Sequence, residues 1–147
     1  MGMTASARIF YGIAFTDDDE LPDDLGDRAY GHEREERNRA VPLPGEFDLE
    51  RERADPEFAA VWDRWREQRR EFEKGQAQLG HRGYEFSHYH VAIKGSELSV
   101  SWTETAEVNV LHLMKADEEW NEKLRAYCAA LGLPWREPKW LLAASYG

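Results

Sequence analysis

Residues 8–15, Arg-Ile-Phe-Tyr-Gly-Ile-Ala-Phe, are apolar at nearly every position. In an extended chain alternate side chains point to opposite faces. Ile9, Tyr11, Ile13 and Phe15 therefore form one face, and Phe10, Gly12 and Ala14 the other. Neither face suits water. A strand of this kind belongs inside a sheet that is covered on both sides. A chain that contains one must supply strands for two edges and layers for two faces.

The remaining residues offer both. Asp55 followed by Pro56 is a helix start, with a side-chain cap and a proline at the first helical position. Phe58, Trp65, Phe72 and Leu79 then recur at seven-residue spacing with Val61 and Trp62 on the same side, which predicts one amphipathic helix from Asp55 to about Leu79. Gly80 and Gly83 close it. Residues 84–93 and 97–102 read as two strands, with Lys-Gly-Ser-Glu at 94–97 as a hairpin turn. A second helix begins near Asp117 and carries Trp120, Leu124, Tyr127, Cys128 and Leu131 on its inner face, until Gly132 and Pro134 end it. Residues 139–146 make a last strand. The order β-α-β-β-α-β is that of the ferredoxin-like split βαβ fold. The expectation is a single α+β domain over residues 1–147, with a four-stranded antiparallel sheet and two helices on one face.

Charge is unevenly spread along the chain. Of a net charge of −10, residues 16–55 hold fifteen Asp and Glu against six Arg, so −9 falls in this one segment. Pro22, Pro42 and Pro44 interrupt it, and little periodicity is visible. It reads as a long acidic surface insert after the first strand, with one short helix near Glu33 and Leu21, Leu25, Tyr30, Val41, Leu43, Phe47 and Leu49 as anchors. Such a surface repels phosphate backbones, because nucleic-acid affinity rests on Lys and Arg. It attracts a basic surface on a protein partner. Asp17, Asp18, Asp19, Glu20, Asp23 and Asp24 are the candidate contact residues at its start. Among the six tryptophans, Trp62 and Trp135 fit their core patterns least and are further interaction candidates.

The single cysteine, Cys128, allows no intramolecular disulfide, and its place on a helix core face suggests a buried thiol. No run reaches the roughly 18 consecutive apolar residues of a membrane helix, and the opening residues lack the pattern of a signal peptide. The expectation is a protein of the reducing cytoplasm with no membrane partner.

Chemistry is weakly written in this sequence. His88 and His90 lie two apart on a predicted strand and share a face, so they hold a metal if a third ligand joins them. His81, His112, Glu85 and Glu104 are the candidates. The alternative is that both imidazoles fill the polar face of a strand. Acid–base use, as in two-histidine phosphoesterases, needs two H-x-[ST] motifs, and residues 88–90, 90–92 and 112–114 do not fit. Residues 82–89, with Tyr84, Phe86 and Tyr89, resemble the RNP1 stretch of RNA-binding RRM domains, in which aromatic rings stack on bases. Packing of aromatics against a sheet is the competing explanation. No phosphate-binding glycine loop, nucleophile elbow or paired-cysteine motif is present. No cofactor is expected.

Several short tracts carry a likeness. They are Ile-Phe-Tyr-Gly at 9–12, Tyr-His-Val-Ala-Ile-Lys-Gly-Ser at 89–96, Trp-Asn-Glu-Lys-Leu at 120–124, Tyr127-Cys128 with Leu-Gly-Leu at 131–133, and Pro-Lys-Trp-Leu-Leu-Ala-Ala-Ser-Tyr-Gly at 138–147. On these tracts the chain resembles small phage- and prophage-encoded proteins of unknown function. The resemblance implies a phage context and no activity, and the 16–55 segment has no part in it. Together these readings predict a non-enzymatic, protein-binding accessory factor, phage-encoded and directed at a host protein through an acidic surface. A metal-dependent or acid–base enzyme using His88 and His90, and a single-stranded RNA binder using Tyr84, Phe86 and Tyr89, are the alternatives.

Overall fold

A computed structural model describes residues 5–82, 88–101, 104–107, 113 and 118–146. The protein is α+β. In chain order its elements are β1 (Ala5–Ala14), α1 (Leu25–Ala40), α2 (Leu49–Ala54), α3 (Pro56–Lys74), β2 (Ala77–Arg82), β3 (His88–Ile93), a 3-10 turn (Lys94–Ser96), β4 (Leu98–Ser101), α4 (Glu118–Leu131) and β5 (Lys139–Tyr146). The strands form one antiparallel sheet.

β1 is central, as its two apolar faces require. Along one edge β5 pairs with it from Ala5↔Tyr146 to Gly12↔Lys139. Along the other edge β3 pairs at residues 12–14 and β4 at residues 6–9. Both β3 and β4 run antiparallel to β1, so they point the same way. The expected hairpin at 94–97 is therefore replaced by a 3-10 turn that interrupts one long strand. Ser96 explains how the break is tolerated. Its buried hydroxyl oxygen accepts the Tyr11 N–H at 2.9 Å and its O–H donates to the Ile93 carbonyl at 2.6 Å. A side chain thus fills a gap in the ladder that would otherwise leave a buried backbone donor unmet.

The hairpin lies earlier. β2 and β3 pair from Ala77↔Ile93 to Arg82↔His88. The helix expected to reach about Leu79 and close at Gly80 and Gly83 ends instead at Lys74, and Leu79 and Gly80 lie in a strand. Gly80 has a packing role here. A Cβ at that position would lie 2.2 Å from Nε2 of His90, its cross-strand partner.

One sheet face carries Tyr11, Ile13, Ala77, Val91 and Ile93, which pack with Leu25, Ala29, Leu124, Tyr127, Cys128 and Leu131 from α1 and α4. The largest correction concerns residues 16–55. They were expected to be a surface excursion with one short helix. Instead they supply the sixteen-residue α1, whose Leu25 and Ala29 are core residues, and the short α2. α3 was expected to cover the sheet, but Trp62 is its single buried residue. The acidic segment covers α3 in turn. Phe47 meets Trp62 edge-on at 5.0 Å, and the Trp65 indole N–H donates to the Val41 carbonyl at 3.2 Å. The Asp55 cap is as expected, accepting the N–H groups of Glu57 and Phe58. α4 ends at a left-handed Gly132, with the Leu133 N–H bonded to the Cys128 carbonyl. Among the described residues no helix is long and apolar enough to cross a membrane.

Candidate functional site

The acidic residues at the start of the segment are held in a defined loop. Asp19 accepts the Thr16 N–H at 2.7 Å, and its other carboxylate oxygen bonds the Arg136 guanidinium. The Thr16 hydrogen bond first, then Arg136, hold the Asp19 carboxyl below the usual carboxylate range. Asp19 is thus committed to structure and is not a free contact residue. Arg136 also donates to the Ala14 carbonyl at 3.3 Å and lies 5.5 Å from the Phe15 ring centroid. Around this clamp Asp17, Asp18, Glu20, Asp23 and Asp24 stand exposed.

The same clamp brings in Trp135, the neighbour of Arg136. Its side chain is 39% exposed, with the Arg125 guanidinium 4.9 Å from the ring. The Arg136–Asp19 bond therefore ties the acidic loop to the segment that carries this indole, a part of the chain 117 positions away. Trp62 has no part in this. It is 4% exposed, enclosed by Phe47, Phe58 and Trp65, which corrects the expectation that it belongs to an open surface.

The histidines occupy different surroundings. His90 is buried and stacks on Phe10 with ring centroids 4.4 Å apart. His88 is half-exposed, with Nδ1 3.6 Å from Asp17. His81 lies on the opposite sheet face, where it meets Tyr89 edge-on at 5.5 Å. Glu104 is exposed, while Glu85 and His112 lie outside the described residues. No group of three or more metal-binding side chains is found among the described residues. Tyr84 and Phe86 also lie outside them, and Tyr89 packs against the helix-covered core.

A cavity of about 250 Å³ lies between α1, α3, α4 and β2. Two polar junctions line it. At one, the Tyr127 hydroxyl donates to Glu33 at 2.8 Å, and the Leu79 N–H is shared between Glu33 and Tyr127 at 3.0 Å each. Burial, then the Glu33 charge, push the Tyr127 phenol far above its ordinary range, so it acts as a fixed donor. At the other, Glu73 accepts from Lys94 at 3.0 Å, Arg69 at 3.3 Å and Arg37 at 3.4 Å. Partial burial alone would raise the Glu73 carboxyl, but Lys94 and Arg69 outweigh it and the net displacement is downward. These charges neutralise one another across helices. Sequence reasoning did not find either junction, because each joins residues more than thirty positions apart.

Comparison with protein-family models, curated proteins and solved structures returns no match to this chain. What the site can do therefore rests on its own geometry. An ordered, negatively charged loop, tied through Arg136 to the segment that carries an exposed indole, offers long-range attraction and an apolar contact, the two parts of a protein-recognition surface. Cys128 adds no nucleophile, since burial pushes its thiol up to about 11.

Proposed function

We propose that this protein is a non-enzymatic accessory factor that binds a protein partner with a basic surface. The observation that carries the reading is the Arg136–Asp19 clamp, which ties the chain segment carrying the exposed Trp135 to the loop bearing the exposed Asp17, Asp18, Glu20, Asp23 and Asp24. The acids steer a basic partner and the indole supplies the buried anchor on contact. The phage context implied by the resemblance makes a host protein the partner, in a reducing cytoplasm where the lone Cys128 stays a thiol. We also read the fold as the ferredoxin-like split βαβ arrangement. In support, the sheet runs β2, β3 with β4, β1, β5, all neighbours are antiparallel, and α1 and α4 share one face.

Removing residues 16–55 would take away core helix α1, so the test uses surface substitutions. Wild-type protein and a D17K/D18K/D23K/W135A variant are immobilised and exposed to bacterial lysate, with folding checked by circular dichroism. Wild type is expected to retain a specific protein in a salt-sensitive manner, and the variant to lose it. Identical captured sets for the two proteins would refute the reading.

A further inference from the structure

Exposed apolar side chains are concentrated in one part of the surface. Seven large hydrophobic residues stand exposed among those described, and Leu43, Phe47, Leu49 and Val61 account for four. Isolated exposed leucines are ordinary, whereas a group within one short segment and the adjoining helix is not. Of these four, Val61 lines a groove of about 380 Å³, whose walls mix apolar residues (Pro44, Phe58, Val61, Trp62) with charged ones (Glu46, Arg51, Asp55, Glu57). Its floor is rigid. Trp62 is held between Phe47, Phe58 and Trp65 at centroid distances of 5.0, 6.3 and 5.3 Å. Pro42 and Pro44 restrict the loop over it. Val61, in its wall, is 44% exposed, and Phe47, which packs on Trp62, is 47% exposed.

The charge around the groove is one-sided. Residues 41–62 carry six acids against two arginines. Of the lining charges, Glu46, Asp55 and Glu57 are acidic. The one basic lining residue, Arg51, is occupied, with its guanidinium 4.5 Å from the Phe58 ring centroid and 3.7 Å from Asp55.

We infer that this groove is a second docking site, which receives one large apolar side chain from a partner segment bearing Lys or Arg on either side of it. The inference rests on the protein-binding reading above but assigns the anchor pocket to a different set of residues. The apolar side chain displaces water from Phe58 and Val61, which rest on the buried Trp62, while the flanking cations face Glu46 and Glu57. A preformed pocket loses little entropy on binding, which favours a short linear segment as the occupant. A second copy of this chain would bring a face of the same negative sign against this one, so like charges oppose self-association here. Nucleic acid is opposed by the same charges.

The test uses an amidated nonapeptide with four lysines on each side of a central leucine, and its analogue with serine at the centre. Binding to the intact protein is followed by fluorescence anisotropy and by 15N-resolved amide shifts. The leucine peptide is expected to bind more tightly than the serine peptide by about tenfold. Its shifts should fall on residues 43–47 and 57–62, and Val61→Glu should abolish the difference between the peptides. Glu46→Lys with Glu57→Lys should weaken both peptides and flatten their salt dependence. Val61 and both glutamates are exposed, so these variants keep the fold, which an unchanged melting temperature verifies. Equal binding of the two peptides overturns the inference. So do shifts confined to residues 17–24 and 135, which would leave the acidic-loop reading standing. Absence of any shift also overturns the groove while leaving the lysate experiment to judge that reading. Concentration-dependent dimerisation in sedimentation, reversed by Val61→Glu, would replace the peptide segment by a second copy.

Discussion

Tyr127 shows how a single polar atom can join three elements. Its hydroxyl donates to Glu33 of α1 and accepts from the Leu79 N–H of β2, while its ring is buried in the core beneath α4. Tyr127→Phe removes both contacts but leaves the Leu79–Glu33 bond at 3.0 Å. The expected loss is about 1–2 kcal/mol in urea denaturation at pH 7, the usual range for a buried hydrogen bond. A double-mutant cycle with Glu33→Ala should give a coupling of the same sign, and strict additivity would show that the two side chains act independently. Gly80 makes a similar point by having no side chain. Its missing Cβ is the space occupied by the His90 imidazole, and the sequence gives no sign that a glycine near a supposed helix end serves a histidine ten residues later.

At the level of elements, α1 is the instructive case. Its inward positions run at four-residue spacing: Leu25, Ala29, Glu33, Arg37. Two are apolar, and the other two are matched by Tyr127 and by Glu73. Hydrophobic periodicity therefore disappears after two turns, although the helix continues. α4 was legible because its inward stripe is apolar throughout, and β1 and β5 because their residues are apolar on successive positions. β2 and α3 were misplaced because Leu79 continues a seven-residue spacing that the chain abandons at Gly75. Of the candidate site, the acids and Trp135 could be named from the sequence, but the tie between their two segments could not, since Arg136 and Asp19 are 117 positions apart. If α1 is part of the core, Leu25→Ala should cost about 2–5 kcal/mol. Tyr30→Ala, on the exposed side of the same helix, should stay within about 0.5 kcal/mol. Equal effects in chemical denaturation would mean that α1 is not docked.

For the whole molecule, acid is the informative perturbation. Asp19 and Glu73 both have carboxyls held below their ordinary values of 3.8 and 4.5. A depressed carboxyl contributes stability that is fully present above its unfolded-state value and is lost as pH falls through its folded-state value. The midpoint of urea unfolding should therefore hold between pH 7 and pH 5 as far as these groups are concerned, and fall once pH drops below about 4. Glu73→Gln should lower the midpoint at pH 7 and make the acid decline shallower. An unchanged decline would show that the Lys94, Arg69 and Arg37 contacts add nothing to stability. The position of β1 has one more consequence. It is made before β5, the strand that pairs with its residues 5–12 along one edge and begins at Lys139. During translation a ten-residue, largely apolar strand therefore waits with open hydrogen-bonding groups while more than a hundred residues are added behind it. Such an edge invites pairing with other nascent chains. The time between synthesis of the first and last strands, more than the stability of the finished fold, should set how much of this protein is recovered in native form.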